Sequence, residues 1–193
     1  MSDYHIKSLP DAQFIALYKA YYDQFFTSKS QLFDYTATLS EQAISKISGL
    51  QANMGSPTRI NLVIYYRDTC IGWSWGFQES AWDFYMCNSA IAPAHRRKGL
   101  YTKLMQEMMR RAETMGFQVI YGRHVATNNA VIIPKLKAGF IITAMEVSDR
   151  FGTLVHLTYY TDPVRRKIQD YRVGFIEADD EIRHYLGLND GRK

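Results

Sequence analysis

The chain has 193 residues, 47% of them apolar and 22% charged, a mixture that excludes a disordered polypeptide and fits one compact domain with a full core. A net charge of +4 and a pI near 9.0 raise the question of nucleic acid, but the basic residues gather in two short knots, at 95–98 and 165–167, instead of striping one helix or tail. The start MSDYHIKSLPDAQ has no apolar stretch behind a basic one, and no apolar run approaches the roughly 20 residues of a spanning helix, so the reading is a cytoplasmic protein without membrane or nucleic-acid partner.

A short strand is expected over Tyr4 to Leu9. Asp11 then opens a helix on which Phe14, Tyr18, Tyr21, Tyr22, Phe25 and Phe26 make one aromatic face. Ser40 caps a second helix reaching Leu50, with Glu41 and Gln42 in its first turn, and Gln51 to Arg59 reads as a loop. From Ile60 the period changes: Ile60–Tyr66 and Cys70–Gln78 are rich in β-branched and aromatic residues and flank the turn Arg67-Asp68-Thr69, which makes a hairpin. Trp82–Ile91 is the next strand. Leu100, Leu104, Met105, Met108, Ala112 and Met115 form the apolar stripe of a helix stopped by Gly116. A strand at Gln118–Val125 follows, then a helix at Asn128–Ala138 that Pro134 should bend or deprive of one backbone bond. Phe140–Val147 and Thr153–Tyr160 make a closing hairpin about the turn Asp149–Gly152, and two helical segments lie beyond Pro163.

Both cysteines, Cys70 and Cys87, lie in apolar strand-like runs and read as buried thiols with no metal-ligand companions, so no metal is expected. The Arg165-Arg166-Lys167 knot reads as a solvated helix face.

The stretch with most chemical content is IAPAHRRKGLYTKL, Ile91 to Leu104, where a strand passes through a basic turn into a helix. Unpaired N–H groups and the positive end of the dipole make a helix start an anion cradle, and Arg96, Arg97 and Lys98 add charge. The three-glycine dinucleotide fingerprint and the P-loop pattern are both absent. What stands instead is Pro93, then Arg96, two residues, Gly99, one residue and Tyr101. This resembles the acyl-CoA loop of the GNAT superfamily of N-acetyltransferases, whose usual pattern is Arg or Gln, two residues, Gly, one residue, Gly or Ala. A second segment, TNNAVIIPKLKAGF at 127–140, is similar to the family's next motif, an Asn opening a helix that ends in Gly-Phe. Two positions depart from the pattern: Tyr101 replaces the second small residue, and Lys135 stands where many members carry the tyrosine that protonates the leaving thiolate.

The resemblance implies a fold and a set of roles. The fold would be α/β, with a mixed, largely antiparallel sheet of about six to seven strands and helices on both faces. Residues 1–162 would form the acyltransferase domain and 163–193 a C-terminal helical extension packed on the same domain or serving a homodimer contact. Acetyl-CoA would be the acyl donor, and a small-molecule or peptide amine the acceptor. Backbone N–H groups of Arg97, Lys98, Gly99, Leu100, Tyr101 and Thr102 would wrap the pyrophosphate, with Arg96 anchoring the loop. The N–H of about Ile91 would face the thioester oxygen, and Asn128 would contact the CoA arm, although its side chain could instead cap its helix. Splayed fourth and fifth strands would put Asn88–Ile91 on one wall and Tyr121–Val125 on the other.

For the base, His124 at a strand end is the first candidate and Glu79 or Asp83 the second. For the acid, Tyr101, Tyr121 and Tyr85 offer hydroxyls, while Lys135 is read as a surface lysine that could donate only if burial lowered its pKa. Tyr101 is equally read as shaping the cofactor channel, and His95 as a loop residue beside the phosphates. The aromatic N-terminal part, with Phe14, Tyr18, Tyr22, Phe25, Phe33 and Tyr35, is read chiefly as core, with an aromatic-walled acceptor pocket as the alternative. The rival from another class is a non-catalytic acyl-CoA sensor that kept the cradle and lost the acid.

Overall fold

The computed structural model describes residues 3–26 and 38–188. Seven strands, β1 (Tyr4–Ser8), β2 (Arg59–Tyr66), β3 (Thr69–Gln78), β4 (Asp83–Ile91), β5 (Val119–Val125), β6 (Ile141–Ser148) and β7 (Gly152–Tyr160), form one sheet in the order β1-β2-β3-β4-β5-β7-β6. Neighbours run antiparallel except β4 and β5. The helices are α1 (Asp11–Phe25), α2 (Glu41–Ala52), α3 (Leu100–Thr114), α4 (Asn129–Lys137), α5 (Pro163–Arg172) and α6 (Asp180–Leu186). This is the expected α/β sheet with helices on both faces. No helix among the described residues is long and apolar enough to cross a membrane.

The two faces of the sheet have different cores. On one, the stripe Leu100, Leu104, Met105, Met108 and Ala112 of α3 packs with Ile132 of α4 and with Leu62, Phe84, Met86, Ile120 and Leu157 of the strands. On the other, Phe14 and Phe25 of α1 bury against Val63, Cys70 and Trp73. The aromatic stripe of α1 is therefore mostly core: Phe25 stacks on Trp73 at 4.6 Å between ring centroids, and Tyr18 lies 4.9 Å from the same indole. Phe33 and Tyr35 lie outside the described residues. Both cysteines are free thiols, and burial raises the pKa of each.

Local chemistry sets the helix ends. Ser40 accepts from the Ala43 N–H at 3.2 Å, as its position before Glu41 predicts. Gly139 ends α4 at φ +96°, with the Phe140 N–H bonded to the Lys135 carbonyl and the Gly139 N–H to that of Leu136, a paired closure that turns Phe140 inward. Helix α4 runs through Pro134, which costs it only the N–H that would have met the Ala130 carbonyl.

The second basic knot is not simply solvated. Arg166 bonds Asp170 at 2.9 Å and the Gly139 carbonyl at 2.9 Å, Lys167 pairs with Asp179 and Glu181, and Arg165 lies over the Tyr160 ring. These contacts tie α5 to the end of α4, to α6 and to β7.

The feature that positions the site is the parallel pair. β4 meets β5 at three rungs only, Asp83↔Val119, Phe84↔Ile120 and Tyr85↔Tyr121. Beyond them β4 stays with β3 as far as Gly72↔Ile91, and β5 stays with β7 as far as Val125↔Leu154. Each wall is thus held by its antiparallel neighbour while the two part from one another. At the parting point β4 carries a bulge: Gly76 faces Met86 and Trp75 faces Asn88, leaving Cys87 unopposed.

Candidate active site

Three groups of residues meet at this opening. The first is the basic turn at its upper end. Arg97 has φ +61° and Gly99 φ +73°, left-handed conformations two residues apart that coil the backbone just ahead of α3. Among the described residues no hydrogen bond uses the N–H groups from Arg97 to Thr102; the first one satisfied is that of Lys103, on the Gly99 carbonyl. Arg96 donates from Nε to the Ile91 carbonyl at 2.9 Å and from a terminal nitrogen to the Phe25 carbonyl at 3.3 Å, pinning the turn to the end of β4 and to α1. His95 Nδ1 and Lys98 Nζ both meet the Tyr4 hydroxyl. The result is a concave run of free N–H groups at a helix start with exposed cationic side chains around it, which fits a pyrophosphate. Tyr101 packs against the α3 core, where burial pushes its phenol pKa up.

The second group is the pair of walls. The Ala92 N–H points to β3, bonding the Ile71 carbonyl at 2.8 Å. Strand alternation therefore turns the Ile91 N–H to the other edge, into the opening. At the far side Asn128 precedes α4 without a side-chain cap bond, so its exposed amide is not used by its own helix.

The third group was the least legible from sequence. Lys135, expected at the surface, is 1% exposed. The reason is helical phase: Ile132 and Lys135, one turn apart, face the sheet, while Ile133 and Leu136 point outward at 49% and 41% exposure. The Lys135 amine has no hydrogen-bond partner among the described residues and lies 4.7 Å from the centre of the Phe140 ring. It occupies space that only a glycine leaves open: a Cβ on Gly122 would sit 2.7 Å from Nζ, 3.1 Å from His124 Nε2 and 3.1 Å from the Met86 carbonyl oxygen. Met86 and Gly122 are the first residues past the last β4–β5 rung, so the amine sits at the root of the opening on the α3–α4 face. Burial lowers its pKa to about 7. The spacing from Ile132 puts Lys135 on the same side of the helix, but no local pattern says that this side is the one that docks.

His124 shares that face, with a buried Nε2 that also lacks a partner among the described residues. Burial first, and the Lys135 charge second, lower its pKa to about 3. It is a neutral imidazole at ordinary pH, too weakly basic to take a proton from an amine near neutrality.

Across the sheet, residues of opposite parity line the α1 face of the same opening. Trp75 stacks on Phe77, Phe77 meets Tyr85 edge-on, and Tyr85 lies 5.1 Å from Tyr121. Tyr121 donates to the Glu79 carboxylate, and Ser80 ties down Asp83 at 2.6 Å. The Arg123 guanidinium covers the Tyr85 ring at 4.9 Å and reaches Glu146, which His156 holds at 2.8 Å. That contact to His156 keeps the Glu146 carboxyl below its usual pKa. Of the candidates for acid and base, then, Glu79, Tyr85 and Tyr121 gather on this face, His124 and Lys135 on the other, and Tyr101 joins neither cluster.

Comparison with known proteins agrees with this geometry. The family model for the acetyltransferase (GNAT) family matches residues 14–140. No curated protein matches the chain. Among solved structures, YncA from Salmonella typhimurium with acetyl-CoA aligns at a TM-score of 0.60 and 19% identity, covering 83% of this chain and 95% of that one. A GNAT acetyltransferase from Elizabethkingia anophelis with acetyl-CoA bound aligns at 0.59 and 13%, covering 83% and 99%. A ribosomal-protein-alanine N-acetyltransferase from Brucella melitensis aligns at 0.57 and 16%, covering 81% and 99%. At these identities the structures establish the fold.

Proposed function

The chain belongs to the GNAT family of acetyltransferases, and we propose that it moves the acetyl group of acetyl-CoA directly onto a primary amine brought to the α1 face of its sheet. The observation that carries this reading is the opening between β4 and β5, with unbonded N–H groups of the Arg97–Thr102 turn at its upper end. Those N–H groups, with Arg97 and Lys98, hold the pyrophosphate, and Arg96 keeps the turn in register with Ile91. The Ile91 N–H faces the thioester oxygen, where charge builds during attack. Asn128 lies free to bond the pantetheine arm. Acetyl-CoA supplies the activated acyl group; the protein supplies position, a wall of N–H donors and a dry root to the opening.

The acceptor approaches along Trp75, Phe77, Tyr85 and Tyr121, an aromatic wall that suits the apolar part of an amine arriving protonated. Glu79, at the end of β3 and hydrogen-bonded by Tyr121, takes that proton directly or through one water. A peptide N-terminus, the acceptor implied by the name of the Brucella enzyme, and a small aromatic amine both meet these requirements. The alternative of a non-catalytic sensor rested on Lys135 standing in place of the acid tyrosine, and no observation here favours it.

Calorimetric titration with acetyl-CoA and with dephospho-CoA tests the donor site. One-to-one binding is expected, followed by thiol release in a screen of amines. Absence of binding would overturn the reading.

A further inference from the structure

We propose that the open edge of β1, with the groove between it and α3, is a docking site for an extended acidic segment of a partner protein, which adds to the sheet as one more strand.

Among the described residues β1 ends the sheet, and its pairing to β2 fixes which of its backbone groups stay open. The Arg67 N–H bonds the Asp3 carbonyl at 2.8 Å and the Leu9 N–H bonds the Asn61 carbonyl at 2.9 Å, at the two ends of a register that sets His5 against Tyr65 and Lys7 against Val63. Antiparallel alternation therefore turns the backbone of His5 and Lys7 toward β2 and that of Ile6 and Ser8 outward. No hydrogen bond among the described residues takes up those outward N–H groups. Beside this edge runs a groove of about 510 Å³. Its floor is Tyr4, Ile6 and Ile64, and its wall is the flank of α3, where Lys103, Glu107 and Arg110 recur at helical spacing. An apolar floor under a polar wall, open along its length, suits a chain laid out straight.

Charge decides which chain fits. Glu107, the acidic residue of the groove, is gripped by Arg110 through two bonds of 2.8 Å and by Arg111 at 2.7 Å, so one carboxylate already faces two guanidiniums. Asp3, at the start of the strand, is paired with Arg67 at 3.8 Å. Lys103 stays exposed on the α3 side, and on the α1 side the exposed Lys7 lies over the Tyr65 ring, on which His5 stacks. A strand added to β1 alternates its side chains between these two sides, so its carboxylates meet Lys103 and Arg110 on one and Lys7 on the other. The same charges repel a second copy of this chain, because two such edges brought together would crowd two sets of Lys7, Lys103 and Arg110. The lysines thus close the edge to its own kind and leave it open to an acidic strand.

The probe is a capped peptide of alternating glutamate and valine, titrated into the full protein and followed by amide hydrogen exchange. Binding should slow exchange at Ile6 and Ser8, whose amides point outward, and leave His5 and Lys7, already bonded to β2, unchanged. Ser8→Pro removes one outward N–H without breaking a bond to β2, and Lys103→Glu reverses the charge of the groove wall. Each should weaken the peptide about tenfold while the melting temperature stays that of wild type. If Ser8→Pro melts lower, Lys103→Glu alone decides. A peptide with lysine in place of glutamate should not bind. Equal binding to wild type and Lys103→Glu would overturn the proposal by showing adhesion to a basic surface only, as would unchanged exchange at Ile6 and Ser8 in millimolar peptide. Two further outcomes would also overturn it: free glutamate binding as tightly as the peptide, which would make the groove a small-anion site, and a dimer of the protein alone that Lys103→Glu alters, which would give the edge to a second copy.

Discussion

On the α1 face of the opening, Glu79, Arg123, Glu146 and His156 are each paired, whereas on the α3–α4 face Lys135 and His124 are buried with no partner among the described residues. The same two strands supply both faces, because successive side chains point to opposite sides. The paired face tolerates water: Glu79 is exposed, and its ionic contacts are of the kind that add little stability singly. The other face buries its two titratable groups, and burial lowers the pKa of each.

The comparison can be broken most severely at the aromatic core that backs the α1 face. Trp73 is fully buried, stacked on Phe25 and bonded through its indole N–H to Asn88 at 2.8 Å. Trp73→Ala is expected to cost about 3–5 kcal/mol in denaturant unfolding; a cost below about 1 kcal/mol would mean this face is not a core at all.

Next comes the pH dependence of stability. The folded pKa of Lys135, about 7, lies below the ordinary 10.5, so between these values the unfolded chain binds a proton that the folded chain has released. Stability rises with pH across that window and its full burden is present below pH 7. Lys135→Met should remove the rise, leaving a variant more stable than wild type on the acid side by a few kcal/mol, at about 1.4 kcal/mol per pKa unit. His124, at about 3 against 6.5, adds a second rise between those values that His124→Gln should abolish. Melting curves taken from pH 4 to 10, well inside ordinary buffer range, read both. Parallel curves for wild type and Lys135→Met would show the amine to be solvated.

Smaller effects probe the sites one at a time. Glu79→Gln should lower turnover about a hundredfold with an acceptor found by thiol release, while acetyl-CoA affinity holds; the reverse pattern would move Glu79 to the donor side. Gly99→Val should weaken acetyl-CoA binding about tenfold, since a β-branched residue at φ +73° costs roughly 1–2 kcal/mol and moves the N–H groups behind it. Tyr101→Phe should leave turnover unchanged, because its hydroxyl joins neither cluster; loss of most activity at unchanged affinity would make Tyr101 a catalytic residue.

How far the sequence foretold all this depends on whether the cause was local. The strand runs, the Ser40 cap and the glycine stops after α3 and α4 follow from period and backbone conformation within a few residues, and they appear where expected. The apolar stripe of α3 identified its buried side from Leu100 to Ala112, whereas Met115, past the helix end, is exposed. Helix α4 offered apolar residues on several sides, and a lysine among them reads as the outward one; only the docking of Ile132 against the sheet decides that Lys135 turns in and Leu136 out. The sidedness of His124 and Tyr121 likewise followed from alternation, but which side held α4 did not. Resemblance pointed to the turn before α3, yet the three-rung limit of the parallel pair and the unopposed Cys87 are long-range facts that no local pattern encodes.

That three-rung junction has a mechanical consequence. Among the described residues it is the sole ladder joining β1–β4 to β5–β7, so the sheet is two stiff plates riveted along one short seam. Such a joint flexes more easily than either plate. Amide hydrogens facing the gap, that of Ile91 first among them, should exchange with deuterium far faster than those within the antiparallel ladders. An extended pantetheine arm lying between the plates would act as a missing strand, and acetyl-CoA is expected to slow that exchange on both walls at once, clamping the hinge as it loads the substrate.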